Sequence, residues 1–244
     1  MPLVGADYGQ MELRVSTAVW KDPFWTSVVG DPDVDMHEQT ARNVLHIKGD
    51  ISTEQRVKAK GANFLTFYGG GAKKLAEDTN CTIEEAREFL DGWHSTYPGL
   101  SAMLEADKKR IHENGEFTTI MGWIKPVYVY DQPYRKKDKW EYSPRDAEEL
   151  RYAINDQVQG PAAQITFAAH VLIDRWLADR TDALMVNHVH DAIYVDCHPR
   201  VVDEVSEAMK HLMLNIPLGD IFGFELPVPL KVDIKVADSW GEME

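Results

Sequence analysis

Two aspartates near opposite ends of this 244-residue chain stand in settings that could serve one reaction. Asp7 closes the short run Leu3-Val-Gly-Ala-Asp7, and Asp191 lies in Val189-His-Asp-Ala192, between two apolar, β-branched runs. Carboxylates at strand ends are hard oxygen donors. They suit a cation such as Mg²⁺, which uses few protein ligands and completes its shell with water and phosphate oxygens. Between them in sequence lies Arg56-Val-Lys-Ala-Lys-Gly-Ala-Asn-Phe-Leu-Thr-Phe-Tyr68. Arg56, Lys60, Phe64 and Tyr68 recur every four residues and so share one helix face, cationic at its start and aromatic at its end. That order suits a triphosphate at one end and a base or sugar packed at the other. Together these features point to nucleotidyl transfer, in which two cations about 4 Å apart neutralise charge on the attacking hydroxyl and the triphosphate. Each feature alone has a plainer reading, as turn aspartates and as an ordinary amphipathic helix.

Three weaker constellations accompany these. Arg151, Asn155 and Gln159 fall on one helical face at intervals of four, a row of hydrogen-bonding groups able to follow the similar acceptors of minor-groove base edges, or a plain polar surface. His188-Val-His190 would place two imidazoles on one face of a strand, as in some zinc sites, but no third ligand stands near in the pattern. Asp35-Met-His37 could be a ligand pair, although Asp35 is better explained as a helix N-cap.

The elements that must position these groups are legible from periodicity and punctuation. Leu3 to Tyr8 reads as a buried strand and Gln10 to Trp20 as a helix that ends at Lys-Asp-Pro. Helices are expected from Asp35 to Leu45, from Ser52 or Thr53 to Tyr68 before Gly69-Gly-Gly71, from Thr82 to Gly92 with Glu85 completing a capping box, and from Tyr97 to Asn114. A hairpin is expected near 117–130. Ser143-Pro144 opens a long helix that runs to about Arg180, with a break near Gly160-Pro161. Strands 183–188 and 192–196 turn at His190-Asp191, a helix follows over 201–215, and a last strand spans 228–236. The pattern predicts an α+β protein in which a small antiparallel sheet, with strands from both chain ends, carries a helical insertion over about residues 20–180.

The hydrophobic content of 44% and aromatic content of 10% support a globular core and exclude a disordered chain. The two cysteines, Cys81 and Cys197, imply no disulfide framework and favour a cytoplasmic setting. The first residues lack the segments of a signal peptide, and no run approaches the roughly 18 apolar residues of a membrane span. A formal charge of −14 argues against a uniformly nucleic-acid-binding surface. The charge is unevenly placed, however. Residues 56–74 hold Arg56, Lys58, Lys60, Lys73 and Lys74 without an acid, and Arg135-Lys-Lys-Asp-Lys139 forms a second basic cluster.

Asp7-Tyr-Gly-Gln-Met-Glu-Leu-Arg14 resembles motif A of the family A DNA polymerases. Arg56-x₃-Lys60-x₃-Phe64-x₃-Tyr68-Gly69 resembles motif B, and Val189-His-Asp191 resembles motif C. Asp35-Met-His37, Arg151-x₃-Asn155-x₃-Gln159-Gly160 and the ending Val232-Asp-Ile-Lys-Val-Ala-Asp-Ser-Trp240 fall in the family's order. The resemblance implies a right-hand polymerase architecture: palm over residues 1–20, fingers over 21–140 with the motif B helix at 53–69, and palm again over 141–244. It further implies that Asp7, the Tyr8 carbonyl and Asp191 hold two Mg²⁺ ions. Lys60 would contact the triphosphate and serve in catalysis, with Arg56 and His37 on the outer phosphates. Gln10, Phe64 and Tyr68 would line the nucleotide pocket, and Glu12 would exclude a 2′-hydroxyl. Arg151, Asn155, Gln159 and His190 would contact primer-template DNA.

Two residues depart from the pattern: Gly9 replaces the usual serine, and Ala192 replaces the glutamate that usually follows the motif C aspartate. No thumb is recognisable, so the expectation is the C-terminal half of a polymerase that is either split, working with a separate N-terminal half, or truncated. The contrasting expectation is a non-catalytic remnant that binds nucleotide or a partner without turnover.

Overall fold

The computed structural model describes residues 1–243 except 33, 45, 46, 137 and 138. The chain forms two compact units, residues 1–19 with 158–244 and residues 20–157.

The first unit is built on a four-stranded antiparallel sheet in the order β6-β7-β1-β8. Its strands are β1 (Leu3–Tyr8), β6 (Ala183–Val189), β7 (Ala192–Cys197) and β8 (Val232–Ala237). Strand alternation sends Val4, Ala6 and Tyr8 to one face, in register with Val195, Ile193 and their neighbours. All of these are buried, against helix α9 (Val202–Leu214), whose Val205, Met209 and Met213 are buried too. Helix α1 (Met11–Trp20) follows β1, and the short α10 (Leu218–Phe222) precedes β8.

The second unit is mainly helical: α2 (Pro23–Gly30), α3 (Met36–Asn43), α4 (Thr53–Phe67), α5 (Ala72–Thr79), α6 (Ile83–Thr96) and α7 (Pro98–Asn114). Its core is aromatic. Trp25 stacks on Phe67 at 5.7 Å and meets Tyr97 edge-on at 5.3 Å, and Trp93 lies 5.1 Å from Tyr97. Two small ribbons complete it, β2 (Glu116–Thr118) with β3 (Ile124–Pro126) and β4 (Tyr134–Lys136) with β5 (Lys139–Glu141). Helix α8 (Pro144–Leu177) begins in this unit and ends in the other.

The expected caps are present. Asp35 accepts from the amides of His37 and Glu38, and Ser52 with Gln55 and Thr82 with Glu85 form complete capping boxes. As expected, α4 ends at the glycines 69–71, which separate it from α5, with Gly69 at φ +74°. Four readings change. Lys-Asp-Pro does not only stop α1: Asp22 caps α2, accepting from Trp25 N at 2.6 Å, with Pro23 in the first turn, where its missing N–H costs nothing. The hairpin near 117–130 shrinks to two three-residue strands, and the last strand begins at Val232 rather than 228. Helix α8 runs unbroken through Pro161, because Val158, Ile165, Ala169 and Ile173 maintain one buried stripe across it. Leu45, and Lys137 and Asp138 of the second basic cluster, lie outside the described residues.

Asp146 anchors the start of α8. Its carboxylate is fully buried, accepts from the amides of Tyr130 and Asp131 at 3.0 and 2.9 Å, and faces His112 Nε2 at 3.7 Å. Asp146→Ala would remove the charged acceptor of both the Tyr130 and Asp131 amides. It should lower the free energy of denaturant-induced unfolding by roughly 2–4 kcal/mol, and a loss below about 0.5 kcal/mol would show that the carboxylate is not the anchor.

Candidate metal and nucleotide site

Strand β1 holds Asp7 at a fixed place by pairing on both sides: Asp7 is opposite Ala192 of β7 and opposite Asp233 of β8. Its side chain projects from the face opposite the α9-covered Val4, Ala6 and Tyr8, and it is exposed. Beyond the last pair, Tyr8 N–H donates to the Asp191 carbonyl at 3.3 Å and Gly9 N–H to the Lys231 carbonyl at 2.8 Å. These bonds bring Asp7, Tyr8 and Asp191 to one end of the sheet. The β6–β7 turn is achieved by His190 at φ +55°, and the strand-to-helix turn after β1 by Gln10 at φ +56°. Left-handed backbone at non-glycine residues is a local strain that the surrounding pairing must hold.

Neighbouring groups tighten this end. Arg14, buried in α1, donates to the carbonyls of Gly9 at 2.9 Å and Pro229 at 2.6 Å, tying the loop after β1 to the segment before β8. Burial pushes the Tyr8 phenol above its ordinary range, and its hydroxyl donates to Met213 O at 2.8 Å. Tyr194 packs 4.6 Å from Trp240. Its phenol is raised by burial and then by the charges of Asp7 and Asp191, so both carboxylates act on the same ring. A Cβ at Gly5 would lie 2.9 Å from Tyr194 Cε1; only glycine lets that ring lie across β1. Glu12 is half-buried in the first turn of α1.

The oxygen donors of this end, two carboxylates and the Tyr8 carbonyl, fit a hard divalent cation that takes its remaining ligands from water and phosphate. Among the described residues no group of three His, Cys, Asp or Glu side chains is arranged to hold an ion. His188 packs edge-on against Phe167 at 5.1 Å and beside His170 at 5.4 Å, with its Nε2 facing the His190 carbonyl at 3.0 Å. His190 itself is exposed.

The remaining sequence-nominated residues, except Gln159, belong to the second unit. On α4, Lys60 is exposed, while Phe64 stacks 6.1 Å from Tyr68. Arg56 forms an ion pair with Asp35 at 2.6 Å. The Asp35 carboxyl is held low by the Arg56 guanidinium and the two capping amides, which outweigh its burial. His37 is 1% exposed, with Asn63 Nδ2 donating to its Nδ1 at 3.2 Å. Burial, with the charges of Arg56 and Lys60, depresses the His37 pKa to about 4 against the opposing pull of Asp35. The ring is therefore neutral near pH 7, with its proton on Nε2. Phe64, Tyr68, Gly69, Lys74, Arg151 and Asn155 line a cavity of about 620 Å³. Asn155 Oδ1 is buried without a hydrogen-bond partner. Gln159 is exposed, on the part of α8 that belongs to the first unit.

Sequence reasoning did not single out Asp233, Lys231, Tyr194 or Asn63. The alternation of charged residues at 231, 233 and 235 marks one face of β8, but only the register with β1 brings that face beside Asp7.

Residues 1–242 match the family model described as DNA polymerase family A. The chain is 31% identical to DNA polymerase I of Pseudomonas aeruginosa over 98% of its own length and 25% of that protein. It is 30% identical to DNA polymerase I of Synechocystis sp. over 98% of itself and 24% of that protein. It thus spans about a quarter of the length of the curated relatives it matches. Among solved structures, the POL domain of Pol1 from M. smegmatis, in complex with DNA primer-template and dNTP, superposes with a TM-score of 0.80 at 22% identity, over 98% of this chain and 40% of that one.

The His37 pKa has a stability consequence whose sign follows from linkage. The folded value, about 4, lies below the ordinary 6.5, so the unfolded chain binds the extra proton first. Stability is fully present above about pH 6.5 and should decline as pH falls toward about 4. A His37→Gln variant should show a shallower decline of melting temperature across that window. Parallel profiles for the two proteins would refute the assignment.

Proposed function

This chain belongs to DNA polymerase family A, and from that membership we propose that it carries the catalytic portion of a template-directed DNA polymerase that adds deoxynucleotides to a primer 3′-hydroxyl. The observation that carries the proposal is the meeting of Asp7, Tyr8 and Asp191 at one sheet end, through the β1–β7 register and the Tyr8–Asp191 backbone bond. Asp7, Asp191 and the Tyr8 carbonyl would hold two Mg²⁺ ions. When bound, the ions would ease ionisation of the primer hydroxyl and offset charge on the departing pyrophosphate.

The protein's own groups do the rest by position and charge. Lys60, exposed on α4, would be a cation for the triphosphate and the proton donor to the leaving pyrophosphate. Arg56 is aimed by Asp35, and neutral His37 offers an Nε2 proton rather than a charge, so the two would serve the outer phosphates differently. Phe64 and Tyr68 would stack on the incoming nucleotide, and Gln10 would lie along its sugar and phosphates. Glu12 would close the space a 2′-hydroxyl needs. Arg151 and Asn155, the latter with an unpartnered oxygen, would reach primer-template DNA with Gln159 and His190.

A thumb-bearing polymerase portion, on this polypeptide or on another, would complete the grip on duplex DNA. Exposed Leu184 and Val186 on edge strand β6 offer apolar surface for such a contact. Both cysteines are free and no helix among the described residues is long and apolar enough to cross a membrane, which supports work in the cytoplasm. Ala192 favours a second reading, a remnant that binds nucleotide without turnover.

Primer extension with Mg²⁺ and four deoxynucleotides, by this chain together with a family A thumb-and-palm portion, separates the two readings. Extension is expected, and Asp7→Ala or Asp191→Ala should reduce it to background. Nucleotide binding without extension, with the portions shown to associate, would establish the remnant. Glu12→Ala should relax the preference for deoxy- over ribonucleotides by roughly 10²-fold, the scale of one lost discriminating contact. An unchanged preference would reject Glu12 as the gate.

A further inference from the structure

Asp233 stands directly opposite Asp7 in the β1–β8 pairing, and Ala192 occupies the equivalent place on β7. Directly opposed residues of antiparallel strands share a face, with Cβ atoms about 4.5–5.5 Å apart, and like charges in such pairs are destabilising. Both aspartates are exposed on the face opposite α9, and Asp191 reaches the same sheet end through its bond from Tyr8. Folding therefore gathers three carboxylates where separation would cost less. Lys231 and Lys235, two residues to either side of Asp233, offset part of this repulsion. Lys231 Nζ lies 3.9 Å from Asp233 Oδ1, with both side chains more than 60% exposed, a solvated pair of small energy. The Arg14 guanidinium feels Asp233 but directs its hydrogen bonds to the carbonyls of Gly9 and Pro229. A divalent cation at Asp7 and Asp191 would turn this like-charge pair into an attraction.

We infer that Asp233 is a positioning residue of the cation site: it supplies, from the C-terminal strand, the negative charge beside Asp7 that Ala192 does not provide. Asp233 raises affinity for divalent cations through its field and through water rather than as an inner ligand, since no three acidic side chains among the described residues form a single-ion cage. The inference rests on the reading of Asp7 and Asp191 as metal ligands.

The test is Mn²⁺ binding to the full chain, read by loss of the free-ion electron paramagnetic resonance signal, alongside melting of the metal-free protein. Asp233→Asn should weaken binding about tenfold, the effect of removing one charge roughly 6 Å from a divalent ion at water-like dielectric. Its metal-free melting temperature should hold or rise, because a like-charge contact is relieved. Asp238→Asn, with the same change in net charge at an exposed position beyond β8, should bind as the parent does. If Asp233→Asn matches the parent or Asp238→Asn while Asp7→Asn and Asp191→Asn lose Mn²⁺, the inference falls and the metal reading survives. If Asp7→Asn and Asp191→Asn also bind as the parent, the metal reading itself fails and takes the inference with it. A parent that binds no Mn²⁺ at millimolar concentration would likewise overturn it.

Discussion

Strand β1 is hydrogen-bonded on both sides by strands from the last quarter of the sequence, and the first unit depends on that double pairing. Side chains alternate across a strand, so a slip of one residue would bury Asp7 and expose Ala6 or Tyr8. The apolar set Val4, Ala6, Ile193, Val195 and Val205 makes the slip expensive. At roughly 1.5–3 kcal/mol for each fully buried valine or isoleucine side chain, several such residues outweigh the repulsion among the carboxylates opposite them. The buried face thus supplies the energy, and the exposed face is placed by it. Arg14 extends the same constraint past the strand end by tying the carbonyl of Gly9 to that of Pro229.

The second unit positions His37 and Arg56, the residues proposed for the outer phosphates, by a different device. Its aromatic core encloses a polar hub, Asn63, whose Oδ1 accepts from Thr40 Oγ1 at 2.8 Å and Trp93 Nε1 at 3.1 Å while its Nδ2 reaches His37. A buried amide with its hydrogen bonds satisfied fixes α3 against α4 in one arrangement. That packing sets the position of His37 and, through Asp35, the direction of Arg56. Asp35 therefore serves twice: its Oδ1 caps α3 and its Oδ2 aims the guanidinium. A cation held in advance loses less side-chain freedom when an anion arrives.

Local signals made much of this legible. Caps at Asp35, Ser52, Thr82 and Ser143 are short-range hydrogen-bond patterns, and β1, α4 and the β6–β7 turn follow from spacing. What escaped were features whose cause is not local. Asp22-Pro23 reads equally well as a stop and a start, and only the apolar residues after it, Trp25, Val28 and Val29, decide for a helix. Pro161 carries a strong local penalty that tertiary burial of the flanking stripe overrides. The burial of His37 was equally invisible, because it follows from Asn63 and Phe64 on another helix. Asp233 was hidden for the plainest reason: a register is a property of two segments, and neither β1 nor β8 contains it.

The two departures from the motifs sit on either side of Asp7, and both reduce a side chain. At Gly9, a Cβ would meet the Lys231 stem, with Cδ, Cγ and Cβ at 3.1, 3.3 and 3.4 Å, so the lysine lies over bare backbone there. At position 192 the alanine is buried beside Asp7 and brings no charge. Charged groups that flank this sheet end from outside β1 and the turn include those of β8, which is an edge strand. An edge carboxylate keeps much of its hydration and acts on a neighbouring ion through solvent, where the interaction is weaker and more dependent on salt than direct coordination. On the proposed reading of Asp7 and Asp191 as metal ligands, moving charge from the inner strand to the edge strand would exchange strength of metal binding for ease of folding without metal, since β7 would not have to bury part of an acid beside Asp7. Gly9 would belong to the same exchange: a serine there would have to displace the stem of Lys231, whose Nζ lies 3.9 Å from the Asp233 carboxylate.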